Sequence, residues 1–110
     1  MTAKRSNIFR VKEWFEVLVT TKRTQAAVMK LGVGQSTGDK SEAHEGSEQI
    51  LLLVEGDLSG EVRGRHHRMK PGDFIVIPPG VKHKFTNGGK IPVVTFNVYS
   101  PPEYPPDKAS

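Results

Sequence analysis

The chain has 110 residues, a formal net charge of +4 and no cysteine. Its length is that of a single ordinary domain, and the lack of thiols excludes disulfides and cysteine-ligated zinc. No apolar run approaches the roughly 18 residues that a membrane span requires, and the first residues lack the apolar core of a secretory signal. These features predict a soluble cytoplasmic protein with a flexible tail at residues 1–7 and one domain at residues 8–99.

The pattern of apolar residues predicts short strands along most of the chain. In chain order they are expected at residues 14–20, 25–31, 50–54, 58–63, 66–69, 74–77, 82–85 and 93–99. Glycine and proline turn signals recur between them, a pattern that is typical of an all-β sandwich or barrel. Residues 32–48 are small and polar, which predicts a loop with at most one short strand near His44. No segment shows helical periodicity.

The predicted strand at residues 50–54 is apolar on both faces, because Leu51 and Leu53 alternate with Ile50, Leu52 and Val54. One sheet core covers only one of these faces, so the other must be covered by a terminal segment or by a second subunit. We expect a homodimer, which is also the commonest oligomer in general.

Four prolines in residues 100–110 exclude a central strand there and predict an extended, polyproline-like arm. Tyr99 and Tyr104 would pack this arm on the domain or on the dimer seam. A lid over a ligand site and a docking motif for another protein are the alternatives.

Basic charge is concentrated in residues 63–70 and near the N-terminus. No aromatic residues are interleaved to stack on bases, so the pattern favours a solvated hairpin tip and predicts no nucleic-acid binding. Attraction of an anionic small molecule or partner is the alternative. His66 and His67 are adjacent, so on a strand they point to opposite faces and cannot chelate one ion together.

Residues 72–87 carry the most specific pattern in the chain. Five of them fit Gly-x5-Pro-x-Gly-x2-His-x3-Asn: Gly72, Pro78, Gly80, His83 and Asn87. After the proline-glycine turn, the charged side chains of Lys82 and Lys84 are expected to face solvent, whereas the side chain of Phe85 is expected to be buried. His83 shares the face of Phe85, and we therefore expect it to point into the protein.

This pattern matches the second sequence motif of the cupin family at every fixed position, and the chain resembles a small single-domain cupin. The resemblance implies an all-β fold, the cupin-type double-stranded β-helix or jelly-roll barrel. That barrel hosts isomerases, dioxygenases, storage proteins and sensors, so the resemblance specifies the fold and leaves the reaction and catalytic residues unassigned.

The first cupin motif, Gly-x5-His-x-His-x3–4-Glu-x6-Gly, is present in outline: Gly38, His44, Gln49 and Gly56. Position 46 is glycine where the family has a second histidine, and Gln49 stands where the family has glutamate. Aligned without a gap from Gln49, the histidine positions would instead hold Ala43 and Glu45. His44 would require one strand bulge before Gln49, whereas Glu45 would not.

The resemblance implies a divalent metal bound by His83, Gln49 and either His44 or Glu45. Such a mixed nitrogen and oxygen set suits Zn, Ni, Mn or Fe(II) and leaves open positions for a small polar or aromatic molecule. The alternative is a metal-free, non-catalytic binding or sensor module, in which His83 is a buried, hydrogen-bonded histidine. Four residues are candidates for a pocket lining or for core packing: Trp14, Met29, Phe85 and Phe96.

Overall fold

The computed structural model describes residues 3–37 and 44–105, and these residues form eight strands and one short 3₁₀ helix. In chain order they are the 3₁₀ helix Ile8–Arg10, β1 Phe15–Thr20, β2 Gln25–Leu31, β3 Glu48–Glu55, β4 Leu58–Val62, β5 Arg65–Met69, β6 Phe74–Ile77, β7 His83–Thr86 and β8 Val93–Ser100. Every predicted strand is present, with ends within two residues of the prediction. Residues 1–2 of the tail and 106–110 of the arm lie outside the described residues. No helix in the described ranges is long and apolar enough to cross a bilayer.

The strands form two antiparallel sheets. One has the order β1–β2–β8–β3–β6 and the other the order β5–β4–β7. The last strand, β8, lies between β2 and β3, so the sheet order departs from the chain order as in jelly-roll folds. No strand of one sheet pairs with a strand of the other in the described ranges. The fold is therefore the expected all-β double-stranded β-helix, built as two facing sheets that hydrogen bonds do not close into a continuous barrel.

The main hydrophobic core lies between the two sheets. Leu51, Leu53 and Ile77 from the larger sheet pack with Leu58 and Phe85 from the smaller one, and all five are almost completely buried. Apolar residues from both sheets thus remove each other from water, which is the main favourable contribution to folding.

Two strands also bring polar side chains to the core side of the sandwich. In β3, Gln49 is buried on the same face as Leu51, whereas its neighbour Glu48 is exposed. In β7, His83 is only 6% exposed, whereas Lys82 just before it faces water. The inward orientation that the sequence predicts for His83 is therefore confirmed, and it follows from the alternation of side chains along a strand.

Among the described residues, the outer face of the larger sheet is covered at one end. There, Val11 of the N-terminal segment packs with Val28 and Phe96. Apolar residues of β3 and β6 stay exposed at the other end: Ile50 (38%), Phe74 (66%) and Val76 (45%). Ile50 and Val76 are cross-strand neighbours, so these three residues form one surface, called the outer patch below.

Candidate functional site

A cavity of about 190 Å³ lies between the two sheets, near the first residues of β3 and β7 and the end of β8. Its wall is largely aromatic, and its polar side chains include Thr37, His44, Gln49 and His83. A wider cleft of about 400 Å³ lies at the surface beside Asp57, but its charged groups are exposed. The smaller cavity is the candidate site because it combines an apolar wall with a few convergent buried polar groups.

His83, the first residue of β7, has its imidazole oriented by the backbone. Its Nδ1 lies 3.0 Å from the carbonyl oxygen of Val81. Since a carbonyl oxygen can only accept, Nδ1 carries the proton and the lone pair of the neutral ring is on Nε2. This is the tautomer in which Nε2 can bind a metal ion.

His44 reaches the same cavity from the bend that precedes β3. The centroids of the His44 and His83 rings are 5.0 Å apart. Nδ1 of His44 lies 3.2 Å from a carboxylate oxygen of Glu103. In the neutral ring this contact also places the proton on Nδ1, so both histidines have their lone pair on Nε2.

Gln49 has its side-chain amide oriented by a buried chain of hydrogen bonds. Its Nε2 donates to Oδ1 of Asn97 over 3.0 Å, Nδ2 of Asn97 donates to Oγ1 of Thr95, and that hydroxyl donates to the carbonyl oxygen of Met29. Oε1 of Gln49 is left buried without a hydrogen-bond partner among the described residues. A buried acceptor without a donor costs about 1–3 kcal/mol, so this oxygen fits a site that receives a donor or a cation.

The cavity brings together three of the residues predicted from the sequence, His44, Gln49 and His83. Glu45 does not join them: it is exposed, and its carboxylate lies near Gly80. No strand bulge is needed for His44, because β3 begins at Glu48 and the residues before it form a bend. Gly38 and Ala43 of the first motif lie outside the described residues.

Trp14, Met29 and Phe85 line the cavity as expected, whereas Phe96 does not. Phe96 instead packs on the outer face of the larger sheet beneath the N-terminal segment. Its position in β8 explains the difference, because it alternates with Asn97, which faces the core.

The C-terminal segment, residues 101–105, lies at the cavity, whereas the sequence offered a lid over a ligand site only as an alternative to packing on the domain or the dimer seam. Tyr104 lines the cavity, and its ring centroid lies 4.8 Å from that of Phe15 and 5.2 Å from that of Tyr99. Glu103 contacts His44. Tyr99 and Tyr104 predicted from the sequence that this segment packs on the domain, but nothing in the local sequence pattern pointed to Glu103.

The donor set fits a metal only if Gln49 takes part. In residues 3–37 and 44–105 no three histidine, aspartate, glutamate or cysteine side chains are grouped to bind an ion. Two imidazole nitrogens and one amide oxygen nevertheless form a mixed set that suits a divalent first-row metal. His44 and His83 would provide Nε2, and Gln49 would provide Oε1, which has no hydrogen-bond partner among the described residues.

The fold has clear counterparts among known proteins. Residues 27–99 match the family model described as Cupin domain. The chain therefore belongs to the cupin family, as its second motif had indicated.

Three individual proteins that this chain resembles are each less than 30% identical to it in sequence. Uncharacterized protein YrkC of Bacillus subtilis is 29% identical over 108 residues, which cover 93% of this chain and 54% of YrkC. The chain thus spans about half the length of that relative. The crystal structure of BH2720 from Bacillus halodurans has a TM-score of 0.82 and 26% identity, covering 89% of this chain and 77% of that one. A predicted oxalate decarboxylase from Thermotoga maritima has a TM-score of 0.67 and 27% identity, covering 74% and 69%.

Proposed function

We propose that this cupin binds a divalent metal through His44, Gln49 and His83, and a small polar or aromatic molecule beside it. The observation that carries the proposal is the buried Oε1 of Gln49, which has no hydrogen-bond partner among the described residues. A cation bound by this oxygen would remove the cost of burying it unpaired. The two histidines support the proposal because each has its Nδ1 engaged by an acceptor.

The size and wall of the cavity favour a ligand with one ring. Its volume is about 190 Å³, somewhat larger than an apolar cavity of about 150 Å³ that accommodates benzene. Phe15, Tyr99 and Tyr104 provide aromatic surface, against which a ring can pack edge-on or offset. The likeness to a predicted oxalate decarboxylase adds small carboxylic acids to the ligands to be tested.

A metal bound there would supply Lewis-acid or oxygen-activating chemistry of the kind used in isomerase or dioxygenase reactions. The chain's own residues would orient and shield the ligand. The Val81 carbonyl and Glu103 fix the two imidazoles, Asn97 fixes the amide of Gln49, and the aromatic wall excludes water from one side of the cavity.

A metal-free binding or sensor module is the second candidate. It is favoured by position 46, where glycine replaces the second histidine of the family motif. With only two imidazoles at the cavity, the polar groups could instead donate to and accept from an organic ligand directly.

Metal analysis of protein purified without a histidine tag would test the proposal. Titration calorimetry with Zn, Ni, Mn and, without oxygen, Fe(II) should show one site per chain. His83→Ala should abolish binding. His66→Ala, at an exposed histidine of β5, is the matched control and should leave binding unchanged. If the wild-type protein binds none of these ions at micromolar concentration, the metal proposal is wrong and the metal-free module is favoured.

We also propose that the outer patch pairs with the same patch of a second copy. Ile50, Phe74 and Val76 lie together on a part of the sheet face that the described N-terminal residues leave exposed. Exposed apolar surface of this kind is typical of subunit interfaces, and a two-fold axis would bring identical patches together.

A further inference from the structure

The C-terminal segment, residues 101–105, contributes two contacts to the cavity. A carboxylate oxygen of Glu103 lies 3.2 Å from Nδ1 of His44. The ring of Tyr104 lies against those of Phe15 and Tyr99 and forms part of the wall. This segment is therefore a structural part of the site, although it follows the last strand.

Gln25, at the start of β2, holds this segment in place. Its Oε1 accepts hydrogen bonds from the backbone N–H groups of Glu103 (3.1 Å) and Tyr104 (2.8 Å). Its Nε2 donates to the carbonyl oxygen of Tyr104 (2.8 Å) and to Oγ1 of Thr20 (2.9 Å). The side chain is fully buried, and these bonds use both donors and both acceptor sites of its amide. The position of Glu103 is therefore set by the larger sheet.

His44 depends on such support more than His83 does. His83 belongs to a strand, and its Nδ1 bonds a backbone carbonyl only two residues away. His44 lies in the loop before β3, outside any strand, so no sheet pleat orients its side chain. Among the described residues, Glu103 is the polar partner of its ring.

We propose that Glu103 is a positioning residue for His44: its carboxylate holds the tautomer in which Nδ1 carries the proton and Nε2 is left to bind a metal. The proposal rests on the metal function above and deepens it, because the site is then complete only when the C-terminal segment is bound to Gln25. Histidines that bind metals commonly donate their second ring N–H to a carboxylate or a carbonyl. Glu103 would serve His44 as the Val81 carbonyl serves His83.

The tautomer of His44 can be measured without any metal. Two-bond ¹H–¹⁵N correlation spectra of the histidine rings distinguish the two neutral tautomers, and a His44→Gln variant assigns the signal. The spectra are recorded at about pH 8, where imidazole side chains are ordinarily neutral. The variants are Glu103→Ala, the conservative Glu103→Gln, whose amide oxygen can still accept, and Glu48→Ala as the control on an exposed glutamate of β3.

We expect the wild-type protein and Glu48→Ala to show a single Nδ1–H tautomer for His44. Glu103→Ala should give a mixture of tautomers and weaken Zn binding about 10–100-fold, and Glu103→Gln should restore most of both. Gln25→Met should reproduce the effect of Glu103→Ala through release of the segment. Because Glu103 is partly exposed, its substitution should not impair folding. The Glu103 variants therefore test the proposal even if Gln25→Met does not fold.

The outcomes separate this proposal from the metal proposal. If His44 keeps one Nδ1–H tautomer in Glu103→Ala, or if Glu103→Gln fails to restore it, Glu103 is not the positioning residue, whatever the metal affinity. If the tautomer changes as expected but the wild-type protein binds no Zn, the positioning role stands and the metal function is wrong.

Discussion

Replacing Gln49 by leucine should remove metal binding with little effect on folding. In the metal-free protein, Oε1 of Gln49 has no hydrogen-bond partner in residues 3–37 and 44–105, which costs about 1–3 kcal/mol of the free energy of unfolding. The substitution would remove that cost. The same substitution leaves Oδ1 of Asn97 without its donor, which costs a similar amount. The two effects oppose each other, so the free energy of unfolding should change by no more than about 2 kcal/mol.

The metal-dependent part of the stability should change far more. An ion at about 100 times its Kd stabilises the folded state by about 2.7 kcal/mol, and for a domain of this size that corresponds to a rise in Tm of roughly 10 °C. Differential scanning calorimetry with and without Zn should show this rise for the wild-type protein and not for Gln49→Leu. A Gln49→Leu protein that keeps the full Zn-dependent rise would show that Gln49 is not a ligand. A loss of stability well beyond 2 kcal/mol without metal would contradict the balance of hydrogen bonds described for Asn97.

Two further predictions concern packing and assembly. In Gly60→Ala the new Cβ would lie 2.5 Å from the buried ring of Phe85, so urea unfolding should show that the free energy of unfolding falls by about 1–3 kcal/mol. In Gly88→Ala the new Cβ meets no atom within 4 Å, so the free energy of unfolding should be almost unchanged. Equal stabilities of these two variants would contradict the close contact of Gly60 with Phe85. Phe74→Ser should convert a dimer to a monomer in light scattering at micromolar concentration, whereas Val33→Ser, at another exposed apolar residue, should not. A monomeric wild-type protein would exclude pairing through the outer patch.

The strands and the inward histidine could be predicted from the sequence because both depend on short-range patterns. Lys82 and Lys84 flank His83, and the alternation of side chains along a strand leaves only one face for the imidazole. The same alternation places Gln49 with Leu51 and Leu53. Such patterns are expected in any strand that has one solvent-exposed face and one buried face.

The choice between His44 and Glu45 could not be made in this way. Strand alternation favours Glu45, and requires a bulge for His44, only if the residues before Gln49 continue the strand. In the structure β3 begins at Glu48 and the preceding residues bend, so the direction of each side chain depends on the path of the loop. That path is decided by contacts with other parts of the chain, including the hydrogen bond from the amide of Gly80 to the carbonyl oxygen of His44.

By itself, the sequence determined an all-β cupin fold with His83 and Gln49 on its inner side, because repeated alternation and a specific motif carry that information locally. Only the tertiary structure decided which groups surround these two residues. Gln25 and Tyr104 are 79 positions apart in the chain, yet their hydrogen bond helps to set where Glu103 meets His44. Contacts of this kind leave no periodic pattern in the sequence, since they depend on how β8 directs the C-terminal segment back over β2.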